Sequence, residues 1–325
     1  MQDQPRILIY FIKPKEKNRF FYGDRYIIPF LRKLFKPTKI GGVEKVFHNL
    51  CKSFDKLKVK YWINLPFDKI EPSDQLIILG LGRTCLEGYN KENKIVAGIA
   101  LMTHPSEWPD LTKNYPISKY LQHSEWAKNV YVPYYGDQIC DTWFSGIDTD
   151  EWKPKQQQKE IDVLIYDKIR WQDSHNLLEK ICQNLSEKNL NFSIIKYGSY
   201  NEQDYKKLLE NSKSMIFLSS HESQGFACCE ALAMDVPVFA WDQGFCLDPN
   251  RFKWNDPIMP ATSVPFFNEQ CGDKFKDVKE FQLKFDQFFK NVQLNKYRPR
   301  NYILENLTLE KSGQRMLEIL KTVYK

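Results

Sequence analysis

Short apolar runs alternate with amphipathic stretches along this chain. "RILIYFI" (6–12) is an unbroken apolar, β-branched and aromatic run and predicts a buried first strand. "VKYWINL" (59–65), "LIILGLG" (76–82) and "KIVAGIAL" (94–101) repeat that character. Between them, in "VEKVFHNLCKSF", Val43, Val46, Phe47, Leu50 and Phe54 recur at intervals of three and four and form one helical face. Strands without polar alternation, joined by helical or irregular connections, predict a parallel sheet with crossovers. A second series follows: "DVLIYDK", a helix near 173–187, "FSIIKYG", a helix near 202–211, "SMIFLSS", a helix near 226–234, and "PVFAWD". The tail "NYILENLTLEKSGQRMLEIL" has a helical pattern with Thr308 and Ser312 as candidate caps, and is expected to pack across the domains.

The polar tract "KPKQQQKE" separates the two series, and 325 residues exceed what one hydrophobic core organises. The expectation is an α/β protein of two facing, doubly wound Rossmann-like domains. The first spans 1–148 and is completed by the terminal helix, about 306–325; the second spans 149–305. Open α/β sheets bind ligands at the carboxyl ends of their strands, so the crevice between the lobes is the expected site.

Composition narrows the class without naming a chemistry. Hydrophobic residues at 42% and charged residues at 27% are ordinary for a globular protein, and the apolar runs have strand length, short of a membrane span. The opening "MQDQPRILIY" lacks the basic and apolar regions of a signal peptide, which points to a cytoplasmic chain. Eight cysteines are scattered with only Cys228 and Cys229 adjacent and no C-x-x-C, which reads as buried reduced thiols; no metal site is expected. A formal charge of +6, without a recurring basic and aromatic stripe, argues against nucleic acid and leaves anionic small molecules or an anionic membrane surface open.

The densest chemistry lies in "SSHESQGFACCEALAMDVPV" (219–238). Glu222 follows an apolar strand, and Glu230 falls within the next helix, so one loop and helix start present both. A carboxylate at a strand end accepts hydrogen bonds from vicinal hydroxyls, as sugars and riboses offer them. Gly225 and Phe226 open the helix, whose free N–H groups attract anions, with Gly225 admitting a phosphate to the backbone. A nucleotide sugar satisfies all three features. Taken alone, the two glutamates also fit a solvated loop residue and a polar helix position.

In context the segment resembles the E-x7-E donor motif of retaining GT-B glycosyltransferases, glycosyltransferase family 4 in particular. "ALAMDVPV" is similar to that family's "EAMAxGxPV", "GG" at 41–42 to its amino-terminal glycine loop, "FSGIDTDEWKP" to its linker, and "ENLTLEKSGQRML" to its closing helix, so nearly the whole chain is covered. The resemblance implies an amino-terminal acceptor domain and a carboxy-terminal donor domain, and transfer from a nucleotide-diphosphate sugar to a hydroxyl of a glycan or glycolipid. It implies that Glu222 contacts the donor sugar, that Glu230 holds the ribose, and that Gly225 and Phe226 give backbone donors to the diphosphate or sugar. His104, in "LMTHPSEW", falls where similar enzymes place a histidine facing the reacting sugar or acceptor. The family's Arg and Lys stand about five apart; here "LIYDKIRWQDSHN" offers Lys168 and Arg170, two apart, so either is a candidate diphosphate contact or a solvated loop charge. Gly41 and Gly42 suit backbone approach to a substrate or an ordinary helix entry. His221 reads as an orienter or spectator, and His48, His123 and His175 have no catalytic context.

Retaining transfer of this kind needs no obligate base, since the departing diphosphate can take the acceptor's proton; alignment and charge stabilisation are what the protein supplies. The resemblance implies no metal and no cofactor beyond the donor substrate. The basic and aromatic stretch 13–40 suits a glycolipid acceptor or peripheral contact with an anionic leaflet, and equally a surface loop. Two other classes stay open: a nucleotide-sugar-binding protein without turnover, and a sugar-nucleotide epimerase.

Overall fold

A computed structural model describes residues 5–12, 41–80, 82–170 and 175–325. The stretch 13–40, the first residues of the helix expected near 173 and the His175 side chain lie outside the described residues.

The amino-terminal sheet takes six parallel strands: β1 (Ile7–Ile12), β2 (Tyr61–Ile63), β3 (Gln75–Gly80), β4 (Ile95–Gly98), β5 (Ile117–Gln122) and β6 (Cys140–Thr142), in the spatial order 2-1-3-4-5-6. Both faces are buried, which is why β1 and β3 read as continuous apolar runs. Leu8, Tyr10, Leu76 and Ile78 pack on one side with Tyr120, Tyr131 and Tyr135. Ile7, Ile9, Ile77 and Leu79 face the other side, against Leu50 and Phe54 of helix α1 (Gly42–Lys56). The apolar stripe predicted from Val43 to Phe54 is that contact. The short helix α2 (Leu111–Asn114) and helix α3 (Glu125–Tyr135) complete the connections to β5 and β6.

The second sheet has five parallel strands: β7 (Ile161–Lys168), β8 (Phe192–Lys196), β9 (Ser212–Ser219), β10 (Val238–Trp241) and β11 (Gly272–Phe275), in the order 11-10-9-7-8. Helices α4 (His175–Glu187), α5 (Glu202–Glu210) and α6 (Phe226–Ala233) alternate with them, followed by α7 (Val278–Gln293) and α8 (Pro299–Asn306). Cys228, Cys229, Ala231 and Ala233 of α6 are buried against Tyr166, Met215 and Phe217, so small residues let this helix sit close on the sheet. Phe281, Phe285 and Phe288 of α7 cover the opposite face. None of the eight cysteines forms a disulfide.

The last helix, α9 (Leu309–Val323), returns to the first lobe, where Met316, Ile319 and Leu320 join the face of α1 and β1. Thr308 caps it by accepting from the Lys311 N–H at 3.3 Å. Ser312 is not a cap: it lies inside the helix and donates to the Phe144 carbonyl at 2.8 Å, while Trp143 Nε1 donates to the Ser312 carbonyl at 3.0 Å. In each sheet the third strand returns to the opposite side of the first, so strand order reverses between β1 and β3 and again between β7 and β9. Such switch points are where doubly wound sheets leave room for a ligand.

Candidate functional site

A cleft of about 1060 Å³ opens between the lobes, and all nine residues singled out from the sequence line it: Gly41, Gly42 and His104 from the first lobe, Lys168, Arg170, Glu222, Gly225, Phe226 and Glu230 from the second. The geometry comes from the switch point. Lys168 ends β7 directly beside Ser219, the end of β9, and Glu222 follows three residues later. The Glu222 carboxylate accepts a hydrogen bond from Ser219 Oγ at 2.7 Å and pairs with Lys168. Its backbone is held from both sides: its N–H donates to the Thr262 carbonyl at 3.0 Å, and its carbonyl accepts from Trp126 Nε1 of α3, also at 3.0 Å.

Lys168 and Arg170 are two apart, and a spacing of two in extended chain directs side chains to one side. Both meet the ring of Tyr197, with Lys168 Nζ 4.6 Å and Arg170 Cζ 5.3 Å from its centroid. The short spacing therefore still gathers two cations on one aromatic platform.

Gly225 stands at the N-cap of α6 with φ +73°, the left-handed region where a side chain is strained. The neighbouring Gln224 is buried and acts as a bracket between lobes: it accepts from the Ser145 N–H at 2.9 Å and donates to the Ser145 carbonyl at 3.1 Å. Glu230 is buried on α6, and burial pushes its carboxyl up to about 7 even though Lys45 opposes the shift. Lys45 reaches Glu230 from α1 of the other lobe and pairs with Glu202 of α5 as well. Its Nζ lies 5.3 Å from the Trp152 ring centroid and 5.5 Å from that of Phe226. Burial works against the ammonium, but the two carboxylates outweigh it and its pKa is raised.

His104 follows the turn after β4. Its Nδ1 accepts from the Ser106 N–H at 3.3 Å, and its ring lies flat on Trp254, 4.6 Å away. Ser106 Oγ lies 2.8 Å from the same nitrogen, and burial lowers the pKa of the ring. His221 packs edge-on against Trp126 with the Cys246 sulfur 3.7 Å from its Nδ1, and burial lowers its pKa too. His123, at the end of β5, also lines the cleft: its Nδ1 donates to the Trp143 carbonyl at 3.2 Å, and complete burial pushes its pKa down to about 4.

The cleft is also lined by Lys45, Trp126, Tyr197 and Trp254, which the sequence does not single out, and by His123, to which it gives no catalytic context. The signal for His123 is the strand before it, but "ISKYLQ" alternates too weakly to mark β5 from the sequence. The signal for Lys45 is its place three residues past the glycine pair. Nothing local marks Trp254, whose partner His104 is far away in sequence.

No family model and no curated protein matches this chain. Solved structures do match in fold. The lipopolysaccharide outer core galactosyltransferase WaaB, in its apo form, aligns with a TM-score of 0.56 at 10% identity, covering 98% of this chain and 99% of that one. Sucrose-phosphate synthase from Thermosynechococcus elongatus gives 0.53 at 9% identity, covering 98% and 99%. A mutant of S. aureus TarM, solved with Fondaparinux, alpha-GlcNAc-glycerol and UDP, gives 0.53 at 14% identity; it covers 85% of this chain, which spans 58% of the TarM chain. These neighbours are GT-B glycosyltransferases. At such identities the likeness is one of architecture, and the chain has the GT-B fold: two Rossmann-like parallel-sheet lobes facing each other across a cleft.

Proposed function

We propose that this protein is a retaining, glycosyltransferase family 4-like enzyme that moves a hexose from a nucleotide-diphosphate sugar to a hydroxyl of a glycan or lipid-linked acceptor. The observation that carries the reading is the convergence of two carboxylates, Glu222 and Glu230, with two cations, Lys168 and Arg170, along one wall of the interlobe cleft. Carboxylates suit polyols, and cations suit a diphosphate. The two kinds of group stand side by side here, as the two ends of a nucleotide sugar require. That TarM was solved with UDP and alpha-GlcNAc-glycerol supports a ligand of the same class.

In this reading Glu230 accepts from the ribose hydroxyls and Glu222 from the donor sugar. Lys168, Arg170 and the amides opening α6 at Gly225 and Phe226 stabilise charge on the departing diphosphate, while Gly41 and Gly42 let the α1 backbone approach the donor. His104 positions a hydroxyl of the transferred sugar or the acceptor. The acceptor's proton leaves on a diphosphate oxygen as the new glycosidic bond forms on the face from which the old one breaks, so no enzymic base is needed. Among the described residues no three His, Cys, Asp or Glu side chains converge as metal ligands do, and the reading draws its positive charge from side chains and amides. No described helix is long and apolar enough to cross a membrane; a lipid-linked acceptor would be met by peripheral contact with the inner membrane face of the cytoplasm.

The test is a thermal-shift screen of the protein against uridine, guanosine and adenosine diphosphate sugars, repeated on Glu222→Ala and Glu230→Ala, with product analysis on any donor that binds. Stabilisation by one donor, lost in both variants, with retained anomeric configuration in the product, supports the reading. Absence of any donor-dependent shift ends it. Binding without transfer to any acceptor would leave a sugar-nucleotide-binding protein instead.

A further inference from the structure

We propose that Lys45 is a positioning residue of the ribose subsite: from the amino-terminal lobe it pairs with one oxygen of Glu230 and leaves the other oxygen for the ribose, so that the subsite is complete only when the lobes are together. The inference rests on the proposed function and adds to it a residue from the lobe opposite the donor domain.

The contacts are unequal on the two carboxylate oxygens. Lys45 Nζ bonds Glu230 Oε1, and among the described residues Oε2 accepts no hydrogen bond. Lys45 also bonds Glu202 Oε1, so one ammonium spans two carboxylates of the second lobe. The same three side chains also line a second cavity of about 400 Å³, so they border both spaces. The rings of Trp152 and Phe226 lie near the ammonium, so a displaced Lys45 would leave a buried carboxylate among apolar surface. A carboxylate oxygen holds a ribose hydroxyl best when the group is ionised, because hydrogen bonds to an ionised acceptor are stronger than neutral ones. Lys45 is the cation that favours that form against burial. The titratable groups around Glu230 are Lys45, with His48 and Lys52 further along α1; Glu202 and Tyr205 on α5; Glu151 on the linker; Tyr166 on β7; and Tyr200 after β8. Glu202 and Glu151 raise the Glu230 pKa, and Lys45 lowers it.

The experiment is calorimetric titration with the nucleotide sugar that stabilises the wild type, whose diphosphate diester does not itself titrate near neutral pH, between about pH 6 and about pH 8.5. In the wild type, affinity falls as pH drops through about 7, where Glu230 takes up a proton. Lys45→Met is expected to bind about 10-fold more weakly at neutral pH and to recover as pH rises, because the carboxylate without its cation ionises later. Lys45→Arg should restore the wild-type profile. Glu202→Gln leaves the ammonium to Glu230 alone and should move the midpoint to lower pH, which tests the idea even if Lys45→Met does not fold. Wild-type or tighter binding by Lys45→Met across the range, or an unmoved midpoint in Glu202→Gln, overturns the proposal while the donor site stands. Failure of every nucleotide sugar to bind the wild type overturns both.

Discussion

Trp254, on the segment that follows β10, lies flat on the ring of His104, on the turn that follows β4, with 4.6 Å between ring centroids and 4° between planes. The first residue belongs to the carboxy-terminal lobe and the second to the amino-terminal lobe. The same segment packs Cys246 and Met259 against Trp126 and Val130 of α3, so the ring of His104 is oriented by a strap that crosses the cleft.

Trp254→Ala is therefore expected to lower kcat by about 10-fold while leaving donor affinity nearly unchanged, since a mispositioned partner of the reacting hydroxyl costs alignment rather than binding. Trp254→Phe should keep most of the stacking and most of the activity. Steady-state transfer kinetics on the donor found by thermal shift would check the split. A parallel loss of donor affinity in Trp254→Ala would mean that the strap shapes the donor site instead.

Gly41 and Gly42 separate a folding role from a binding role. Among the described residues a Cβ at either position meets nothing within 4 Å, and Gly41 has an ordinary extended backbone at φ −69°. Gly42→Ala should then fold as well as the wild type, or better by up to about 1 kcal/mol, because alanine loses less entropy in a helix. If the glycines admit the donor, the same variant binds it more weakly. Urea unfolding beside donor titration measures both, and unchanged affinity would reduce the pair to a helix entry.

Gly146 shows the opposite behaviour. A Cβ there would stand 2.6 Å from Leu309 Cα and 2.8 Å from the Thr308 carbonyl oxygen, backbone atoms at the start of α9 that cannot step aside. Its own carbonyl accepts from Asn49 Nδ2 of α1 at 2.6 Å. Gly146→Ala should cost about 2–3 kcal/mol by forcing the terminal helix off the first lobe. Increased proteolysis near residue 308, together with a lower urea midpoint, would show it.

His123 predicts an acid sensitivity whose sign follows from its burial. Its folded pKa, about 4, lies below the ordinary 6.5, so the unfolded chain binds the extra proton between those values. Stability should fall as pH drops from about 6.5 toward 4, by up to about 3 kcal/mol. Glu230 works the other way: its pKa is raised to about 7, so acidification through that range favours the folded form. His123→Gln should remove the first effect and leave the second. Its stability relative to the wild type would then improve steadily as the pH of the unfolding experiment is lowered. A constant difference at all pH values would mean that His123 titrates alike in the folded and the unfolded chain.

Much of this molecule is written locally. The unbroken apolar runs at Ile7–Ile12 and Gln75–Gly80 specify strands buried on both faces, because a sheet covered by helices leaves no face for polar residues. The periodic stripe of α1 specifies its buried face, and the alternation of strands and helices specifies the doubly wound class. Glu222, Gly225 and Glu230 were legible because one loop and one helix carry all three, so their convergence needs only local geometry. The weakly alternating β5 and the three-residue β6 escaped notice, since each takes its stability from neighbours in the sheet. Only the tertiary structure brought Lys45 to Glu230, Trp254 to His104 and Gln224 to Ser145. These contacts join residues 185, 150 and 79 positions apart in sequence, and nothing in the local sequence around either partner specifies the other. The chain alone determined two lobes and the chemistry of one wall; the packing of the lobes against each other determined which residues of the opposite wall face it.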